Sequence, residues 1–419
     1  MKKAIDHFIR HFRKRFLIFL KWFAFSIVSG VLIGIAGVLF HYCIVYATKA
    51  RTDYPWLIFL LPVSGLFIVK AYHLLHDEKD TGTNLVLAAI HSGEHIPIKM
   101  APLIFLSTVM THLFGGSAGR EGAALQLGGS IGNSLGRFLR FDEKDQHIMI
   151  MCGMSAAFSV LFGTPLAAAI FSMEVVSVGI MHYAALVPCA VSALAAQEIA
   201  KYFHVAPEQF FLGQIPEFSA SSGLIIAVLA ILCALVSTLF CVVLHASENL
   251  FKKYFPNPYF RIFTGGTIIL MLTLLVGSQD YNGAGMPVIA KCFENEYTPY
   301  AFLLKMLFTA VTLGSGYKGG EIVPSFFIGA SFGCLFGNLT GFAPQLCTAA
   351  AMGAVFCGVT NCPITSLLIC FELFGFEGMP YFLLSVALGY MLSGYYGLYH
   401  SQKIIYSKYK TEFINRKTR

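Results

Sequence analysis

Charge is what this sequence has least of. Asp, Glu, Lys and Arg make up 12% of 419 residues, against 56% hydrophobic residues and a mean hydropathy of +0.69. A soluble domain carries about twice that share of charge, so a soluble fold is excluded and the chain reads as a polytopic membrane protein in contact with the lipid bilayer. Metal-ligand spacing is missing too. The thirteen histidines form no H-E-x-x-H, and the eleven cysteines contain no C-x-x-C pair. No metal and no cofactor are expected. Cys233, Cys241, Cys334 and Cys370 stand inside apolar runs, where free thiols act as small hydrophobes.

Enzymatic signatures are equally thin. "GSGYKG" (Gly314 to Gly319) has the form G-x-G-x-x-G, but it follows the membrane run "FLLKMLFTAVTL". A dinucleotide fingerprint belongs after a strand in a βαβ unit, so this one is set aside. An intramembrane hydrolase needs a nucleophile and base on facing helices, or metal ligands, and no histidine pair is placed for that role. The chain is not expected to be an enzyme.

The charge that is present sits at the ends, in "MKKAIDHFIRHFRKRFLIFLKWF" and "YHSQKIIYSKYKTEFINRKTR". Basic flanks stay on the cytoplasmic side. Both termini are therefore expected in the cytoplasm, joined by an even number of crossings of the cell membrane. The net charge of +7 follows from that topology and gives no reason to invoke nucleic acid. The first apolar run, 16–47, is too long for a signal-peptide core and has no cleavage site. Within it, Gly30-xxx-Gly34 predicts close packing against another helix.

Further apolar segments follow with short connections, one of them running unbroken over 165–200. Several are well under the ~20 residues of a full crossing, and short segments broken by glycine or proline line cavities at membrane depth. One transmembrane domain over 1–419 is expected, with short basic tails and no soluble regulatory domain.

The two halves of the chain, about 20–205 and 220–405, repeat each other. "GSAGREGAALQLGG" (Gly116 to Gly129) lies on "GYKGGEIVPSFFIG" (Gly316 to Gly329) at a shift of 200, bringing Glu121 onto Glu321. "TPLAAAIFSMEV" lies on "CPITSLLICFEL" at a shift of 198, matching Pro165 with Pro363 and Glu174 with Glu372. In both copies a glycine-rich turn opens a helix. The first turn of a helix offers free N–H groups and the positive end of its dipole, a natural anion site, and glycine lets the ligand reach the backbone. A glutamate there can take the anion's place and leave it on protonation. Ionisable groups at membrane depth are functional candidates by default. Glu174 and Glu372, at the far ends of their helices, read instead as groups that satisfy exposed backbone or face water.

"GREGAALQLGGSIG", "FGTPLAAAIFSMEV" and "GYKGGEIVPSFFIGASFG" together resemble the CLC family of chloride channels and anion/proton antiporters, over roughly residues 20–405. The resemblance implies an all-α polytopic membrane fold of two inverted-topology helical repeats, with many short, tilted or broken helices. It also implies a homodimer with one pathway per subunit. Glu121 would be the protonatable gate. Anion-binding groups would lie near Gly122, at Ile322 and Val323, and at Tyr399, with Tyr395 and Tyr396 as alternatives for the pore tyrosine.

Three departures resemble the fluoride/proton antiporter branch of that family. "DTGTNLVLAAI" puts Thr83 or Asn84 where chloride members carry a serine. Val175, beside Glu174, takes the place of their inner proton glutamate. Glu321 follows the double glycine where they are apolar. Fluoride is small and a strong hydrogen-bond acceptor, and a protonated carboxyl is a strong donor for it. The expected function is export of cytoplasmic fluoride in exchange for protons, with Glu121 and Glu321 in the pathway. The alternative is a chloride/proton antiporter or a passive chloride channel of the same family.

Overall fold

The protein was analysed as a computed structural model describing residues 2–77, 81–93 and 96–418. The first half contains α1 (Lys2–Asp53), α2 (Leu61–Leu74), α3 (Thr83–Ser92), α4 (Met100–Leu113), α5 (Glu121–Phe138), α6 (Glu143–Phe162), α7 (Pro165–Glu174) and α8 (Leu186–Tyr202). Residues 205–219 carry no regular structure. The second half contains α9 (Ala220–Tyr254), α10 (Pro258–Val276), α11 (Met286–Phe293), α12 (Ala301–Gly314), α13 (Ile322–Thr340), α14 (Pro344–Thr360), α15 (Pro363–Phe374) and α16 (Met379–Leu392). Among the described residues seven helices are long and apolar enough to cross a membrane, and six more are apolar but shorter.

The structure differs from the sequence reading in three places. Helix α1 starts at Lys2, well before its apolar run, because its basic N-terminal stretch contains neither glycine nor proline and Lys and Arg favour helix. The run 165–200 is broken in two. Helix α7 ends at Glu174, Ser177–Val178 form a strand (β1), and Gly179 turns the chain at φ +89°. β-Branched Val178 suits that strand better than a helix. The basic C-terminal tail is folded: β2 (Lys403–Tyr406) pairs in parallel with β1, and β3 (Phe413–Lys417) pairs antiparallel with β2.

Glycine determines how closely the helices approach. A Cβ on Gly30 would lie 2.6 Å from the Ser192 carbonyl oxygen, so the Gly30/Gly34 face lets α1 close onto α8. A Cβ on Gly128 would fall 2.1 Å from the oxygen of Gly153, bringing α5 onto α6, and one on Gly333 would fall 2.4 Å from that of Cys347, bringing α13 onto α14. All eleven cysteines are free, ten of them buried.

The two halves meet about an approximate two-fold. Gly119 N–H donates to Gly320 O at 2.6 Å, and Gly320 N–H donates to Gly119 O at 2.7 Å. Further out, Glu174 accepts from the N–H groups of Ile364 (3.1 Å) and Thr365 (2.8 Å), closing the start of α15. Glu372 accepts from Leu166 N–H (3.0 Å) and Ala167 N–H (2.9 Å), closing the start of α7. Each glutamate thus satisfies the orphan amides of the other's helix, the structural role that their sequence positions suggested.

Candidate functional site

The Gly119–Gly320 pair fixes the register of the repeat at this junction, and the register is 201 rather than the 200 read from the glutamates. At 201, Gly115 and Gly316 coincide, and both have positive φ, +89° and +109°. The turn bonds Gly116 N–H to Thr111 O and Tyr317 N–H to Thr312 O coincide as well. Arg120 and Glu321 then occupy the same place, each the residue just before its helix and each in αR conformation. Glu121, the first residue of α5, is the image of Ile322. The glutamate match across the repeat is one residue out of structural register.

Glu121 is 1% exposed. Its Oε2 accepts from the Arg120 backbone N–H at 3.0 Å, and its Oε1 from Arg120 Nε at 3.3 Å. Arg120 is more than a bystander to the turn. Its Nη2 donates to Leu161 O (3.2 Å) and to Glu208 Oε1 (3.0 Å), and its Nη1 lies 3.3 Å from His41 Nδ1. Glu208 comes from the irregular 205–219 segment and is partly exposed, so Arg120 joins a buried carboxylate to a solvent-facing one. Between these two acids is a cavity of about 10 Å³, walled also by Phe162, Phe210 and Val323, with room for about one water-sized occupant.

On the other side of the junction, Glu321 Oε2 lies 3.4 Å and Thr83 Oγ1 3.5 Å from the position a Cβ on Gly122 would occupy. Thr83, in the first turn of α3, is buried and accepts from Gln126 Nε2 at 3.3 Å. Asn84 bonds toward the Tyr399 segment, its Oδ1 accepting from Ser401 N–H at 2.9 Å. Gly122, Ile322 and Val323 are buried in the first turns of α5 and α13, where N–H groups have no partner within their own helix. Gly122 N is only 2.5 Å from the place of a Gly320 Cβ, so glycine is required for the two helix starts to face each other.

Tyr399 is fully buried, and its Oη has no hydrogen-bond partner among the described residues. It lies within electrostatic reach of Glu321 and Glu121. The residue just past β3 holds it, with Thr418 Oγ1 donating to Tyr399 O at 2.6 Å. Tyr395 is engaged with Ser407 Oγ at 2.7 Å, and its ring is covered by Arg416. Tyr396 is only partly buried.

Three participants escaped sequence reasoning. Gln126 sits just past the signature glycines, with its Oε1 buried and unpartnered. Glu208 stands in a featureless linker. Ser117 belongs to a spacing G-x-S-x-G that occurs at Gly115–Gly119 and again at Gly128–Gly132. Ser117 Oγ is 3.1 Å from Thr309 Oγ1 and accepts from Lys305 Nζ, and Ser130 Oγ donates to Pro97 O. No histidine bonds either serine among the described residues, so neither is built as a nucleophile.

Comparison with known proteins was made on this geometry. The family model described as "Voltage gated chloride channel" matches residues 64–394. A "Chloride/fluoride channel protein" of Pseudomonas syringae pv. tomato is 35% identical over 396 residues, covering 93% of this chain and 88% of the relative. The crystal structure of a CLC-type fluoride/proton antiporter superposes with a TM-score of 0.89 at 33% identity, covering 92% of this chain and 98% of that one. A slow cyanobacterial Cl⁻/H⁺ antiporter shares the fold, with a TM-score of 0.76 at 21% identity.

Proposed function

The chain belongs to the voltage gated chloride channel (CLC) family, and on that premise we propose that it is a fluoride/proton antiporter exporting cytoplasmic fluoride in exchange for protons. One observation carries the reading: Glu321 and Thr83 flank Gly122 where the starts of α5 and α13 face each other. The names borne by the Pseudomonas relative and by the 33%-identical structure support it.

The chemistry follows from the donors. Fluoride meets the first-turn N–H groups at Gly122, Ile322 and Val323, the Thr83 hydroxyl and the unpartnered Tyr399 phenol. Glu321, when protonated, adds an O–H donor. Ionised Glu121 is held by Arg120; protonation removes that charge-assisted pairing and frees the side chain to carry its proton inward. Arg120 and Glu208 then mark the outer approach to Glu121.

The working unit is a homodimer in the cell membrane, with both termini cytoplasmic and one pathway in each subunit. Efflux from liposomes loaded with equal fluoride and chloride tests the anion assignment. Fluoride leaving faster than chloride is the expected result, and chloride leaving as fast or faster contradicts it.

A further inference from the structure

Behind the glycine loop that carries Arg120 and Glu121 lies a second concentration of positive charge that the pathway does not use. Lys305, on α12, is fully buried. Its Nζ donates to Gly283 O at 2.7 Å, Ser117 Oγ at 3.0 Å and Tyr281 O at 3.1 Å, all uncharged acceptors. Arg51, in the last turn of α1, is 7% exposed, and its Nε and Nη1 are buried with no partner. Both of its terminal nitrogens lie 3.1 Å from the position of a Cβ on Gly283. Arg51 and Lys305 therefore lie against the same glycine.

His112, on α4, adds no donor to this pair. Its Nδ1 donates to Thr108 O at 2.9 Å, so its buried, unpartnered Nε2 is an acceptor in the neutral ring. No carboxylate pairs with Arg51 or Lys305 among the described residues. Asp280, on the neighbouring segment, is exposed to solvent, and Glu121 is already held by Arg120.

Elsewhere the buried charges have strong partners. Arg120 meets two carboxylates, and Glu174 and Glu372 sit on helix starts. An unpaired buried guanidinium is strongly unfavourable, and arginine does not shed its proton to avoid that cost. The unfilled donors on Arg51, beside an uncompensated lysine, are what an anion satisfies. Gly115 and Gly283 have positive φ, +89° and +59°, and their missing side chains let Arg51 close onto the backbone, its Cδ 3.5 Å and its terminal nitrogens 3.1 Å from the two Cβ positions.

We propose that Arg51 and Lys305 form the cationic wall of a second anion site, separate from the Glu121–Glu321 junction, that takes a small monovalent halide against the Gly115–Ser117 loop. The site follows from the excess of buried cations and holds whichever halide the pathway moves. An anion there balances the charge beneath the loop that positions Arg120 and Glu121.

The test is crystallographic, on the full chain soaked in sodium bromide. An anomalous peak is expected within hydrogen-bonding distance of Arg51 Nε or Nη1, lost in Arg51→Gln and kept in Glu321→Ala. Competing soaks with fluoride and with chloride identify the natural occupant by which one removes the peak. If Arg51→Gln does not yield folded protein, Lys305→Met replaces it and is read the same way. No peak there in the unaltered protein, or one that survives loss of Arg51 or Lys305, overturns the proposal.

Discussion

Arg120 and Glu321 are structural images of one another: each is the last residue before its helix, on either side of the Gly119–Gly320 pair. The junction thus presents a cation before one helix and an acid before the other. The acid is the group without an ion pair among the described residues. Glu321→Ala should therefore lower fluoride transport by at least about tenfold, a ~1.4 kcal/mol effect, while leaving the thermal midpoint in detergent nearly unchanged.

Glu174→Gln should behave in the opposite way. Glu174 accepts from two backbone amides and from Thr365 Oγ1 at 2.6 Å, so its loss weakens the start of α15 by about 0.5–2 kcal/mol. Transport per folded molecule should persist. Flux and thermal midpoint measured together on both variants separate the two roles, and equal effects on flux would remove Glu321 from the pathway.

Arg120 should prove costly to remove. Arg120→Met leaves Glu121 buried without its partner, and breaking a buried pair costs about 3–5 kcal/mol. Adding Glu121→Gln should return part of that loss, because the stranded charge is gone. A double-mutant cycle on the thermal midpoint measures the coupling; simple additivity would contradict the pairing.

How far the sequence could be read depends on the residue. The repeat, the glycine-opened helices and the structural roles of Glu174 and Glu372 were all legible, because each rests on local chemistry and a near-constant spacing. The exact register was not. Glu121 and Glu321 align at 200, whereas Gly119/Gly320, Gly128/Gly329, Gly132/Gly333 and Gly136/Gly337 align at 201. Backbone contact between the helices selects the glycine register, since helix approach is set by what lacks a side chain.

Pairings made across long sequence separations, such as Arg120 with Glu208 or Asn84 with Ser401, leave no periodic trace. The strand-forming tail was likewise hidden, because its basic residues read first as topology. Lys305 was a missed signal: a lone lysine in "FLLKMLF" is an ionisable group at membrane depth.

Gly320→Ala tests the meeting of the helix starts. The added Cβ would lie 2.5 Å from Gly122 N and 3.1 Å from Gly122 Cα. Both are backbone atoms, so the junction must open or the anion-facing amide is blocked. Overpacking of this kind costs about 1–3 kcal/mol, and fluoride flux should fall together with stability. Normal flux and stability would mean that the two helix starts do not face each other this closely.

The most direct test of fluoride/proton exchange is proton movement driven by fluoride alone. Liposomes containing the purified protein and loaded with fluoride are diluted into fluoride-free buffer at equal pH, and the external pH is followed. Outward fluoride flow should draw protons inward and make the medium more alkaline, with Glu121→Gln abolishing the change. Fluoride efflux without any proton uptake, or uptake undiminished in Glu121→Gln, would contradict the account.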